Sequence, residues 1–122
     1  MCIHRDYMPQ IDIADLEILL DFAKQCGCSV TFEYGLAYLF KPIQCMPRFS
    51  APVERATLRK PILVSADNYI LDGHHRWATW RRLGRPLPLY RLGYEKSHAL
   101  GLLFAFPKTY AYGDGAFHPC KI

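Results

Sequence analysis

The stretch KPILVSADNYILDGHHRWATWRRLG (60–84) constrains the fold of this chain more than any other. Two short apolar runs, PILVS and YILD, flank a polar turn at Ala66-Asp67-Asn68, the pattern of a β-hairpin. Gly73 then breaks the pattern. Beyond it Trp77, Trp80 and Leu83 recur at helical spacing, Ala78 permits close approach, and Gly84 supplies a stop. A hairpin feeding straight into a helix predicts a small mixed α/β or α+β domain.

The flanks agree. DIADLEILLDFAKQCG (12–27) predicts a helix, capped by Asp12, with acids in its first turn. Leu16, Leu19, Leu20 and Ala23 form its apolar face, and Gly27 ends it. SVTFEYG (29–35) alternates like a strand, Gly35 suits a turn or bulge, and LAYLF (36–40) extends or pairs with it. Prolines make KPIQCMPRFSAP (41–52) an irregular connection, and VERATLR (53–59) has room for one or two helical turns. RPLPLYRLG (85–93) returns as a strand whose prolines fit its start or a sheet edge. EKSHALGLLFAF (95–106) predicts a last helix weakened by Gly101, and the tail 107–122 stays irregular. With no repeat or linker, residues 1–122 read as one domain.

Location follows from what the chain contains. Its longest apolar stretch, LGLLFAF at 100–106, falls well short of the roughly 20 residues of a membrane span, so no membrane partner is expected. MCIHRDYMPQ has no apolar h-region and carries Asp6, which argues against a secretory signal and for the cytoplasm. Five cysteines, Cys2, Cys26, Cys28, Cys45 and Cys120, are then expected as small half-buried thiols. The C-x-C at 26–28 has no second pair at zinc spacing.

The net charge of +4 conceals an asymmetry. Residues 1–40 carry two basic and six acidic side chains, whereas residues 48–91 carry nine basic and three acidic ones. A basic half implies an anionic partner: nucleotide phosphate, nucleic acid or an acidic protein. Arg81, Arg82 and Arg85 serve equally well to solvate the end of a helix.

The loop DGHHR (72–76) gives that partner a place to dock. A helix starting just after Gly73 presents unpaired amides, with about half a positive charge of dipole behind them. His74, His75 and Arg76 fall in the first turn, where the dipole disfavours cations by about 0.3–1 kcal/mol, so an anion such as phosphate is the expected compensation. Arg76 and His75 would neutralise phosphoryl oxygens, His74 would donate to the terminal phosphate or shuttle a proton, and Asp72 would hold Mg²⁺ or orient a histidine. Glu54, the one acid before the hairpin in this basic stretch, is a candidate base or metal ligand, or simply a surface partner of Arg55 or Arg59. Arg48, Ser50 and Lys60 would complete the phosphate cradle by charge and position.

KPILVSADNYILDGHHRWATWRRLG resembles the core of the ParB/sulfiredoxin superfamily, in which a proline-led strand, a turn and a second strand lead into a G-x-H-R or G-x-R-R loop. YILDGHHRW is similar to the members labelled ParB-like nucleases. The resemblance covers about residues 41–92 and leaves 1–40 and the tail after 106 unmatched. It implies an α+β fold with a short mixed sheet flanked by helices and a strand–DGHHR–helix phosphate loop. In sulfiredoxins the loop holds ATP phosphates, and their His-Arg pair corresponds to His75 and Arg76. Their catalytic cysteine corresponds to His74, which argues against sulfinic-acid chemistry here. In chromosome-partitioning members the loop reads G-E-R-R and binds CTP; Gly73 and Arg76 match, His74 and His75 depart, and no helix-turn-helix follows. The loop is also similar to that of a free serine kinase branch carrying D-G-H-H-R. There, residues corresponding to Asp72 and His74 surround the transferred phosphate, and an upstream glutamate is the base.

Three functions follow as expectations. The first is binding of ATP or CTP with Mg²⁺ at Gly73, His75, Arg76, Lys60, Arg48 and Ser50, with hydrolysis or phosphoryl transfer by Asp72, His74, His75 and Glu54. The second is a DNA-binding protein or nuclease with His74 and His75 around a phosphodiester, although Trp77 and Trp80 have core spacing and the acid clusters of a two-metal nuclease are missing. The third is a non-catalytic accessory or phage-type module, with the acidic helix Asp12–Cys26 as its partner surface.

Overall fold

The computed structural model describes residues 2–46 and 55–111. Its strands are β1 (Val30–Gly35), β2 (Lys41–Pro42), β3 (Ile62–Val64), β4 (Tyr69–Asp72) and β5 (Leu87–Leu92). Its α-helices are α1 (Leu16–Gln25), α2 (Arg55–Leu58), α3 (His74–Leu83) and α4 (Lys96–Ala105). The strands form one mixed sheet in the order β1-β5-β3-β4-β2. The β1–β5 and β3–β4 pairs are antiparallel, and β3–β5 and β2–β4 are parallel. The chain is therefore α+β, as its pattern predicts.

Both faces of the sheet are covered, which explains why ILV in β3 is continuously apolar rather than alternating. Ile62, Val64, Ile70, Leu87 and Leu89 pack toward Trp77 of α3 and toward Ala37 and Phe40. Leu63, Leu71 and Leu92 turn the other way, into a cluster with Leu19, Leu20 and Ala23 of α1 and Ala99, Leu102 and Leu103 of α4. Met8 and Ile11 join that cluster, so the N-terminal stretch belongs to the same core. At the hairpin turn, Asn68 takes a positive φ of 67° and its amide closes the turn on Ser65 O at 3.1 Å. Asn tolerates that region because its short polar side chain bonds locally.

Several expectations need correction. LAYLF does not extend β1; Ala37–Leu39 forms a 3-10 turn that carries Phe40 into the α3-side core. Asp12 does not cap α1 with its side chain, because its carboxylate accepts the Tyr110 hydroxyl at 3.0 Å and a 3-10 turn, Ile13–Asp15, intervenes. Strand β5 is internal, yet Pro88 faces a neighbour on one side only: β3 pairing begins at Leu89. Leu83, expected on the buried face of α3, is 50% exposed at the last turn of that helix. The cysteines are not all thiols, since Cys2 and Cys45 form a disulfide. Main-chain bonds Ile3 N to Ile43 O and Cys45 N to Ile3 O, both 2.7 Å, lay the two segments side by side. Cys26 and Cys28 remain free, the first exposed and the second buried. Cys120 and the rest of the tail from 112 onward lie outside the described residues. No helix among the described residues is long and apolar enough to cross a membrane.

Candidate functional site

Strand β4 ends at Asp72 and α3 starts at His74, so the whole reversal falls on Gly73. Its φ of +93° favours glycine, and a Cβ there would lie 2.8 Å from both Ile62 Cγ2 and Arg76 Nη2. Glycine is thus required twice over, by conformation and by contact. The first intrahelical bond of α3 is Trp77 N to Gly73 O at 2.9 Å, so the helical ladder gives the amides of residues 74–76 no acceptor.

The two histidines are in unlike surroundings. His74 is 4% exposed, and its Nε2 accepts the amides of Ile43 and Gln44, each at 3.1 Å. An Nε2 that accepts two N–H groups carries no proton, so the ring is neutral with its proton on Nδ1. Burial drives its pKa down to about 3, and His75 beside it adds to the shift. His74 therefore sews the 43–44 segment to the loop and does not hold a proton on Nε2 for delivery to phosphate. His75 is half-buried and makes no comparable commitment; burial lowers its pKa, and nearby Arg5 lowers it further.

Asp72 and Arg76 face each other one helical turn apart, with Nη2 3.6 Å from Oδ2. The same Nη2 reaches Pro61 O at 3.3 Å, while Arg76 Nε is buried without a hydrogen-bond partner. Burial lowers the Arg76 pKa against the opposing pull of Asp72. Burial also pushes the Asp72 carboxyl up to about 6, although Arg76 and the Gly73 amide pull it back; Asp12 adds a smaller upward push. The Asp72 side chain keeps 17% exposure, enough to open onto the space above the loop.

That space is a cavity of about 360 Å³. One wall is Asp72–Arg76 with Leu71. The N-terminal segment adds Arg5, Gln10 and Asp12 with Pro9, Ile11 and Ile13, and Gln44, Thr57 and Tyr110 complete the lining. Asp72, Gly73, His74, His75 and Arg76 all line this one cavity. Lys60 is exposed and does not line the cavity, although the carbonyl of its neighbour Pro61 meets Arg76. Glu54, Arg48 and Ser50 lie outside the described residues. Arg5, Gln10, Asp12 and Tyr110 are site residues that the sequence does not announce. No short-range pattern marks them, since they reach the site through pairings such as Gln10 with Tyr110 that span most of the chain.

The charge asymmetry is partly cancelled from within. Arg76 faces Asp72, and Arg91 is bound to Glu33 at 2.9 Å and also to Ser65 O and Asn68. Arg59, Lys60, Arg81, Arg82 and Arg85 stay exposed, with Arg81 lying over the Trp77 ring. Both indoles point inward: Trp77 Nε1 donates to Ala37 O at 2.8 Å and Trp80 Nε1 to Leu58 O at 3.1 Å. Among the described residues, no group of three His, Cys, Asp or Glu side chains could hold a metal ion. No protein-family model, no curated protein and no solved structure matches the chain.

Proposed function

We propose that the cavity over Gly73 binds the phosphates of a nucleoside triphosphate, ATP or CTP, and that the protein hydrolyses or transfers the terminal phosphate, in keeping with the ParB/sulfiredoxin resemblance of the loop. The observation that carries this reading is a concavity of about 360 Å³ lined by the first turn of a ten-residue helix, with His75 and Asp72 at its surface. Small-ligand sites span about 300–1,000 Å³, so the volume suits a polyphosphate with part of its nucleoside. Helix-terminal amides receive the anion, and His75 donates a hydrogen bond to it or accepts a proton.

Asp72 suits a proton acceptor. A carboxyl with pKa near 6 is mostly ionised at neutral pH yet basic enough to take a proton from an attacking hydroxyl or water. Mg²⁺ would have to come with the phosphates, because the described residues offer no protein-only cage, and with Asp72 as its protein ligand that carboxylate would serve the cation instead of taking the proton. Bound there it would neutralise phosphoryl charge.

Nucleic-acid binding is the second reading, favoured by the five exposed cations of α3 and of the turns that follow α2 and α3. It draws no support from Trp77 and Trp80, whose indoles are engaged inside the protein.

Calorimetry with ATP and CTP, each with Mg²⁺, together with a phosphate-release assay, tests the first reading. Wild-type protein is expected to bind, His75→Ala to bind at least tenfold more weakly, and Asp72→Asn to bind but lose turnover. No heat with any common triphosphate or diphosphate ends it.

A further inference from the structure

The loop uses most of its positive charge internally. Arg76 is turned to Asp72 and Pro61 O, and His74 gives its Nε2 to two amides. From this wall an anion meets His75 and the first-turn amides. The cavity is also lined by a guanidinium that the motif does not contain, that of Arg5.

Arg5 opens the 3-10 turn Arg5–Tyr7 on the N-terminal segment. That segment is fixed at one end by the main-chain bonds of Ile3 to Ile43 and Cys45. At the other end, Gln10 N bonds Tyr110 O at 2.7 Å and Tyr110 N bonds Gln10 O at 3.0 Å. Met8 and Pro9, both fully buried, pin its middle. A strap held in three places fixes the main chain of Arg5 at the rim of the cavity, where its exposed side chain lines the opening. Arg5 and His75 line the same space, and Arg5 is near enough to weaken the basicity of that imidazole. Asp12, also on the strap, has an oxygen engaged by the Tyr110 hydroxyl. Of the strap's charged residues, Arg5 and Asp12 line the cavity while Asp6 does not, and an anionic ligand is directed toward Arg5 and away from Asp12.

We infer that Arg5 is a ligand-binding residue of this site, meeting the anionic group of a polyphosphate together with His75. The inference rests on the phosphate-binding reading of the cavity and adds to it a residue from outside the motif.

The test titrates wild type, Arg5→Gln and Arg5→Lys with inorganic tripolyphosphate and with ATP-Mg²⁺ by calorimetry, and follows the His75 imidazole by NMR in the same samples. Arg5→Gln is expected to bind both probes at least tenfold more weakly, Arg5→Lys to recover part of the loss, and His75 to titrate at higher pH in ligand-free Arg5→Gln than in wild type. Arg5 is exposed, so these variants are expected to keep the wild-type fold, read from an unchanged His74 signal. Equal affinity of wild type and Arg5→Gln overturns the inference and leaves the phosphate site standing. Failure of wild type to bind either probe overturns both.

Discussion

One wall of the cavity, Asp72–Arg76, is anchored inward: Gly73 is pressed on Ile62, His74 is bound to two amides, and Arg76 is buried against Asp72. The N-terminal wall, residues 5–12, is anchored at its ends by main-chain pairings and a disulfide, and it leaves Arg5 and Asp12 exposed. The motif wall resembles chemistry in the sequence and is largely architecture in the fold. The N-terminal wall is inconspicuous in the sequence, yet it carries charge to the site. A dense polar motif therefore marks the position of a cavity and says little about the other groups that line it.

The contrast breaks most readily at Arg76. Arg76→Ala leaves Asp72 buried and unpaired, and is expected to cost about 3–5 kcal/mol at pH 8, measured by urea unfolding. The loss should shrink at pH 5, where Asp72 is protonated. The double variant Asp72→Asn/Arg76→Met should recover much of it, since apolar replacement of a buried pair is often neutral. If Arg76→Ala alone proves harmless, the inward wall is not anchored as described.

Reduction of Cys2–Cys45 attacks the N-terminal wall. The bond links residues 43 apart, and breaking it is expected to cost about 2–4 kcal/mol by releasing the unfolded chain. In the native state, amide exchange should quicken at Ile3 and Cys45 and remain slow at Trp77.

The histidine pair sharpens the comparison inside a single turn. His74→Ala strands the amides of Ile43 and Gln44, costing about 2–3 kcal/mol, whereas His75→Ala should cost less than about 1 kcal/mol. Acid separates them further. His74 has a folded pKa of about 3 against 6.5 for the free side chain, so the unfolded state takes up a proton the folded state refuses. That contribution to stability is lost as pH falls from 6.5 toward 3. Asp72 acts oppositely: its folded pKa of about 6 lies above 3.8, so stability rises as pH falls from 6 toward 4. Between pH 4 and 6 the two slopes oppose each other and nearly cancel in wild type, so on acidification the stability read from unfolding curves should rise in His74→Ala and fall in Asp72→Asn.

Much of the fold was legible because local patterns carry it. The hairpin, α3 with its glycine boundaries, and the strand at 87–92 follow from alternation, helical spacing and turn residues. What escaped the sequence depends on distance along the chain. Cys2 meets Cys45, and Gln10 meets Tyr110, only once the sheet exists. Within the motif, residue type could not distinguish a histidine that accepts two amides from one that faces a cavity, because burial decides between them. Lys60 is assigned to the cradle by charge and approximate position, and neither says which way a side chain points.

The Gln10–Tyr110 pairing also fixes when the cavity can exist. Loop closure across that separation is slow compared with forming the hairpin or a helix. During synthesis the DGHHR turn can form as soon as residues 60–84 emerge, but the strap has nothing to join at its far end until residue 110 leaves the ribosome. The pocket is completed late, and a nascent chain stopped short of that residue would display the motif without being able to enclose a ligand.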